Sequence, residues 1–251
     1  MTASSLNLVS AGAWDRFVPY SGLHLVTVCV CVVAVAALAG TGRALPDTSK
    51  MALRHTLGIF GIAYWVLSYT ILWNRRGLDL PSGLPLHICE LNGLIAPLAL
   101  LTLNRWLRAT AYFWTFALTT QAFIQPTLTT GPAGAQFWWF WAQHTLILAC
   151  AVYDLVVLGF RPNWRDLRRV YVVSAIYLAI VIPVNLEFSA NFAFLGNPPP
   201  ARIPPFIDGL GPWPLRALIV VALAAAGFVI LELPWRIVES SWKTSKLHKS
   251  V

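Results

Sequence analysis

The polar residues that could do chemistry in this chain are few, and they crowd the start of one apolar stretch. That stretch reads Leu84-Pro85-Leu86-His87-Ile88-Cys89-Glu90-Leu91-Asn92-Gly93, and His144 stands alone inside another. Ionisable side chains within hydrocarbon are costly, so they face a bundle interior or water and mark function. A thiol becomes a nucleophile when a base takes its proton, and histidine is the usual partner. Near neutrality an imidazole can take that proton and return it. Asparagine amides or backbone N–H groups can stabilise the oxyanion of an acyl-transfer intermediate. On a regular helix His87 and Glu90 share a face, whereas Cys89 points about 200° away from His87. His87 reaches Cys89 only if Pro85 opens a distorted first turn. The plainer alternatives are a buried inert thiol at Cys89 and a hydrogen-bonded bundle histidine at 144. A zinc site built from His87, Cys89, Glu90 and His144 is a rival, made awkward by the opposed facing of His87 and Cys89.

The elements that must position these residues are helices in a membrane. Seven stretches, about 22–40, 56–73, 86–103, 107–124, 137–159, 169–187 and 215–233, are each apolar enough to cross a bilayer. A span needs about twenty mostly apolar residues, and helices alone satisfy their own backbone in lipid. Of the 251 residues, 57% are hydrophobic and 11% charged, about half the charged share of a soluble domain. The expected fold is therefore an all-α polytopic membrane protein, one domain and one bundle of seven transmembrane helices. The net charge of +8 reflects basic residues flanking spans, not a nucleic-acid partner. Cys29, Cys31, Cys89 and Cys150 all fall inside spans, so no disulfide framework is implied.

Thirteen lysines and arginines fall on the side of the 1–2, 3–4 and 5–6 connections and the tail, against five on the other. That asymmetry sets the N-terminus outside and the C-terminus inside, in the cytoplasmic (plasma) membrane. Asp154, in the inner half of the fifth stretch, is expected to pair with the arginines of the 5–6 connection. Trp235, Val238 and Trp242, with Lys243, Lys246 and Lys249 beyond, suit a tail (235–251) lying on the inner leaflet. His24 and His55 sit at span edges and carry little weight. The third and fifth stretches enter from outside and the sixth leaves there. Cys89, His87, His144, Asn185 and Asn191 therefore converge on the outer half of the membrane. The connection 190–214 is proline-rich yet apolar, so it is expected to pack over that mouth as a lid, with Asp208 and Trp213 in it. The candidate substrate-binding residues are Glu90, Asn92, Asn185, Asn191, Asp208 and Trp213.

These motifs resemble the YwaF and transmembrane-protein-164-like family of integral membrane proteins. Leu84-Pro85-Leu86-His87-Ile88-Cys89 is similar to its LPLHLC-type run, and Leu210-Gly211-Pro212-Trp213-Pro214 to its GPWP element. His144 after an aromatic helix start, and Asn185 with Asn191 before the lid, fit the same pattern over about residues 60–215. The resemblance implies a compact helical membrane fold. From the animal branch it implies acyl transfer between phospholipids through a cysteine thioester, with Cys89 as nucleophile, His144 as base and His87 in support. Two positions depart from the pattern: Ile88 replaces leucine, and Asn191-Phe-Ala-Phe-Leu195 lacks the family's tyrosine. The sequence calls for no cofactor and no metal, and its expected partners are membrane lipids: a phospholipid donor, and a lysolipid or water as acceptor. The competing expectation is a non-catalytic lipid- or solute-binding protein or transporter with the His/Glu/Asn cluster as its site.

Overall fold

The computed structural model describes residues 14–76, 83–198 and 204–248, and over these the chain is helical, with no strand. An isolated antiparallel bridge joins Arg16 to Thr130. The long helices are α1 (Gly22–Ala44), α2 (Asp47–Arg76), α3 (Ile88–Thr102), α4 (Arg105–Trp114), α5 (Ala135–Val156), α6 (Trp164–Glu187) and α7 (Leu215–His248). They fall where the seven apolar stretches lie. Among the described residues, α1, α6 and the Leu215–Ile237 part of α7 are long and apolar enough to cross a membrane.

Local chemistry explains where helices begin. Ser21 caps α1 by accepting from His24 N–H. Asn104 caps α4 by accepting from the Trp106 and Leu107 N–H groups. Asn163 opens α6 in a reciprocal box with Asp166. Each side chain satisfies a donor that the first helical turn leaves over.

Two expected spans are corrected. The third, expected over 86–103, is a helix of 15 residues, Ile88–Thr102. His87 is its extended N-cap (φ −67°, ψ 143°), and Leu103 ends it in the left-handed region at φ 53°. The fourth, expected over 107–124, is broken. After Trp114 the chain widens into a π turn, Thr115–Thr119, before a last turn over Gln121–Ile124. Thr120 N–H bonds Thr115 O at 2.9 Å, the i to i+5 step of that geometry. Asn92 of α3 explains the widening: its Nδ2 donates to both Thr115 Oγ1 (2.9 Å) and Thr119 Oγ1 (3.2 Å).

Helix α3 is the centre of the packing. It contacts α2, α4, α5 and the π turn, while α1 lies against α5 and α4 against α6. Asn92, Gly93, Ala96, Ala99 and Leu100 are its buried face. A Cβ at Gly61 of α2 would run into the Pro97 ring of α3, so small residues set the spacing here.

The charged end of the bundle corrects a third expectation. Asp154 pairs not with the 5–6 connection but with Arg108 in the first turn of α4, through Nε (3.0 and 2.9 Å) and Nη2 (2.7 Å). Asp154 is buried on the core side of α5, where α4 reaches it. The arginines beyond serve Asp166 instead: Arg105 and Arg169 both pair with it.

The tail is a continuation of α7 through Pro234 rather than a separate helix. The indole N–H of Trp235, half-buried, donates to Tyr112 OH at 3.0 Å. The side chains of 238–248, among them Val238, Trp242, Lys243 and Lys246, and all of Lys249, lie outside the described residues.

Candidate functional site

The entry to α3 is held by its neighbours. Pro85 has no N–H to give to a helix, and the chain turns tightly about it, Leu86 N–H donating to Leu84 O at 2.9 Å, before the extended His87 cap. Glu90 folds back, its Oε2 accepting from His87 N–H at 2.9 Å. Tyr69 of α2 is buried within electrostatic reach of the same carboxylate. Trp65, one turn earlier on α2, donates its indole N–H to Glu90 O at 2.8 Å. Tyr177 of α6 donates to Leu86 O at 2.7 Å. Cys89 and Glu90 lie within electrostatic reach of both phenols. Two helices therefore brace the turn that carries His87, Cys89 and Glu90.

Cys89 is the second residue of α3, half-buried beside Glu90. The N-terminus is the helix end where negative charge is favoured. Across the interface with α5, Gln143 Nε2 donates to Cys89 O at 3.3 Å. The two helices thus meet at the level of residues 89 and 143, one residue short of His144.

His144 is 4% exposed. Its Nδ1 lies 2.6 Å from Phe140 O. A carbonyl only accepts, so Nδ1 carries the proton and the neutral ring presents the lone pair on Nε2. Nε2 bonds no described residue. The ring sits 4.2 Å from Phe140 and 6.3 Å from Phe123, centroid to centroid. No hydrogen bond joins His144 to Cys89 among the described residues.

His87 faces the connection after α6. Its ring lies 5.2 Å from Phe192 and 6.2 Å from Phe194. Here Ala193 and Phe194 both adopt left-handed backbone, φ 53° and 61°, an unfavourable conformation for residues with a Cβ. The asparagines fasten it. Asn185 accepts from Phe192 N–H at 2.8 Å and donates to Phe192 O at 3.0 Å. Asn191 Oδ1 accepts from Gly196 N–H at 3.1 Å. Trp213 N–H reaches Leu195 O at 3.2 Å. Arg216, buried at the start of α7, donates to Gly196 O and Asn197 Oδ1. Phe192, Leu195 and Ile207 are buried, so the described part of this connection is packed. Asp208 is exposed, at the end of the helical turn Pro205–Asp208.

The candidate residues thus divide. His87, Cys89 and Glu90 form one cluster with Tyr69 and Tyr177. Asn92 holds the π turn, and Asn185, Asn191 and Trp213 hold the loop. Trp65, Tyr69, Gln143, Tyr177 and Arg216 were missed by sequence reasoning. The spacing of Trp65 and Tyr69, one turn apart, is the one signal that could have paired them on a face. No three His, Cys, Asp or Glu side chains among the described residues are grouped so as to hold a metal ion.

The amide clamp yields a testable expectation. Asn185→Ala strands a buried N–H and C=O of Phe192, at a cost of about 1–3 kcal/mol each way of counting an unmade bond. The variant should melt several degrees lower and be cut faster by protease within 192–198, whereas Asn185→Asp, which keeps the acceptor, should fall between. Equal protease resistance in all three would show that the clamp does not hold the loop.

A family model described as the TMEM164 family matches residues 19–232, wider at both ends than the motif-bearing stretch. No curated protein and no solved structure matches the chain.

Proposed function

Because this chain belongs to the TMEM164 family, a membrane protein family, we propose that it is a membrane-embedded lipid acyltransferase, or acyl hydrolase, working through Cys89. As Sγ bonds to the ester carbonyl carbon, His144 Nε2 takes the thiol proton. The ester C–O bond then breaks, and the departing alkoxide recovers that proton. A lysolipid hydroxyl or water attacks the thioester, restoring the thiol. The observation that carries this reading is the meeting of α3 and α5 at Cys89 and Gln143. His144, whose Nε2 bonds no described residue, follows Gln143 on α5. His87, Tyr69 and Tyr177 shape the turn, and the loop clamped by Asn185 and Asn191 covers His87.

The test is intact-protein mass after incubation with phosphatidylcholine vesicles. A hydroxylamine-sensitive acyl adduct on Cys89 is the expected result, and a folded protein that never acquires one overturns the proposal. The absence of a hydrogen bond between Cys89 and His144 favours a second reading, a lipid-binding protein or transporter. Activity unchanged in Cys89→Ala would select it.

The proposal includes seven spans with the N-terminus outside. Accessibility tags at Gly131 and Pro162 should then label from opposite faces, Gly131 from outside. Labelling from one face would mean a different number of crossings.

A further inference from the structure

Helix α6 starts at Trp164, and the part of α7 fit to cross a membrane stops at Ile237. The two ends meet. The Trp164 ring lies under the guanidiniums of both Arg168, 5.4 Å from the ring centre, and Arg236, 4.4 Å from it. Trp235, beside Arg236, carries Arg161 in the same way at 5.2 Å. Ends of spans lie at the level of lipid headgroups, and Trp164 is 43% exposed there.

These guanidiniums are placed but not used up. Arg168 is exposed and donates to no described residue. Arg236 spends Nε on Glu232 and leaves both Nη groups without a described acceptor. An arginine can rest its face on an indole while its N–H fork takes a phosphate at the edge. Among the described residues of α4, α5, α6 and α7, the acids at this end are Asp154, Asp166 and Glu232. All three are buried, and each is already bonded to arginine. A headgroup cation such as choline therefore finds no free carboxylate here, whereas an anion finds open donors.

Below the arginines the surface turns apolar. Tyr171 of α6 donates to Ala225 O of α7, and Phe228 packs on its ring. The residues next to that contact open an exposed aliphatic row on each helix, and an arginine heads each row. On α6, Val172, Ile176 and Ile180 follow Arg168 at steps of four. On α7, Leu233, Val229 and Ala226 follow Arg236 at steps of three and four.

We propose that Arg168 and Arg236, set on Trp164, hold the phosphate of an anionic phospholipid whose headgroup carries no cation, its acyl chains lying along the two aliphatic rows. A free phosphate would leave those rows unused. The site shares no residue with the Cys89 cluster and does not rest on the thioester reading.

The experiment uses the full chain in detergent, equilibrated with equal amounts of phosphatidylglycerol and phosphatidylcholine of matched chains. Native mass spectrometry counts the lipid retained. Phosphatidylglycerol should be kept over phosphatidylcholine by roughly tenfold or more, the weight of one charge-assisted hydrogen bond. Arg168→Gln and Arg236→Gln should each remove most of that preference. Arg165→Gln takes the same charge from the same exposed turn, where no indole lies beneath it, and should leave the preference within about twofold. Arg168 has no acidic partner, so Arg168→Gln decides the matter even where Arg236→Gln, which unpairs the buried Glu232, does not fold. Equal retention of the two lipids by the unaltered chain would overturn the proposal. So would an Arg165→Gln loss as large as that of Arg168→Gln, which would mean diffuse charge only. Displacement of phosphatidylglycerol by millimolar inorganic phosphate would show a site for the free anion and overturn it too.

Discussion

Cys89→Ser is expected to abolish acyl-enzyme formation, and His144→Gln to slow it by about 10²–10⁴-fold, the usual contribution of a positioned base. Serine changes one atom in a half-buried first turn, so the fold should survive. Its hydroxyl is far weaker as a nucleophile without strong activation. Glutamine at 144 can still donate to Phe140 O in the manner of Nδ1, but offers no basic nitrogen. The readout is the rate at which acyl mass appears on the protein, with monodispersity as the control for folding. His144→Gln acylating at full rate would sink the assignment of the base. His87→Gln would then be the variant to examine, because His87 caps the turn that holds the thiol. Labelling of Cys89→Ser to the same extent as the unaltered chain would remove Cys89 altogether.

Arg108→Met is expected to cost about 3–5 kcal/mol, because it leaves the buried Asp154 carboxylate without the guanidinium that bonds both its oxygens. The loss includes packing, since Arg108 also lies over the Phe160 ring at 4.7 Å. Removing both charges, as Arg108→Met with Asp154→Leu, should be milder than removing one. A pair of apolar residues leaves no stranded charge. Thermal unfolding in detergent gives both values. A single variant as stable as the unaltered chain would show that Arg105 or Arg54, which also act on Asp154 electrostatically, carry the carboxylate without help.

Asp154 also shows where reading the chain runs out. Its depth in an apolar stretch foretells an arginine partner. Which arginine depends on how α4 lies against α5, and no spacing along the chain encodes that. The helices were legible because lipid-facing and core-facing residues are both apolar in a membrane protein, so long apolar runs stand out. The same property hides direction. Tyr177 looks like any aromatic residue in such a run, yet its hydroxyl braces the α3 entry. Asn185 and Asn191 were legible as polar residues beside a loop, but their amides are spent on backbone groups. The π turn at Thr115–Thr119 was illegible for a plainer reason: it answers Asn92, 23 residues earlier.

The shortness of α3 has a consequence for how a bilayer meets this molecule. At 1.5 Å per residue its 15 residues reach about 22 Å, some 8 Å less than a hydrocarbon layer near 30 Å. The neighbours α2, with 30 residues, and α5, with 22, are longer. Set upright in such a layer, α3 would leave a notch between its longer neighbours. Hydrophobic mismatch of this kind is relieved by thinning the adjacent leaflet or letting polar groups follow the short helix inward. If the notch opens at the Cys89 end, headgroups and water sink towards the thiol while the tails stay in oil. A phospholipid could then present its ester by sliding sideways, without being lifted from the membrane.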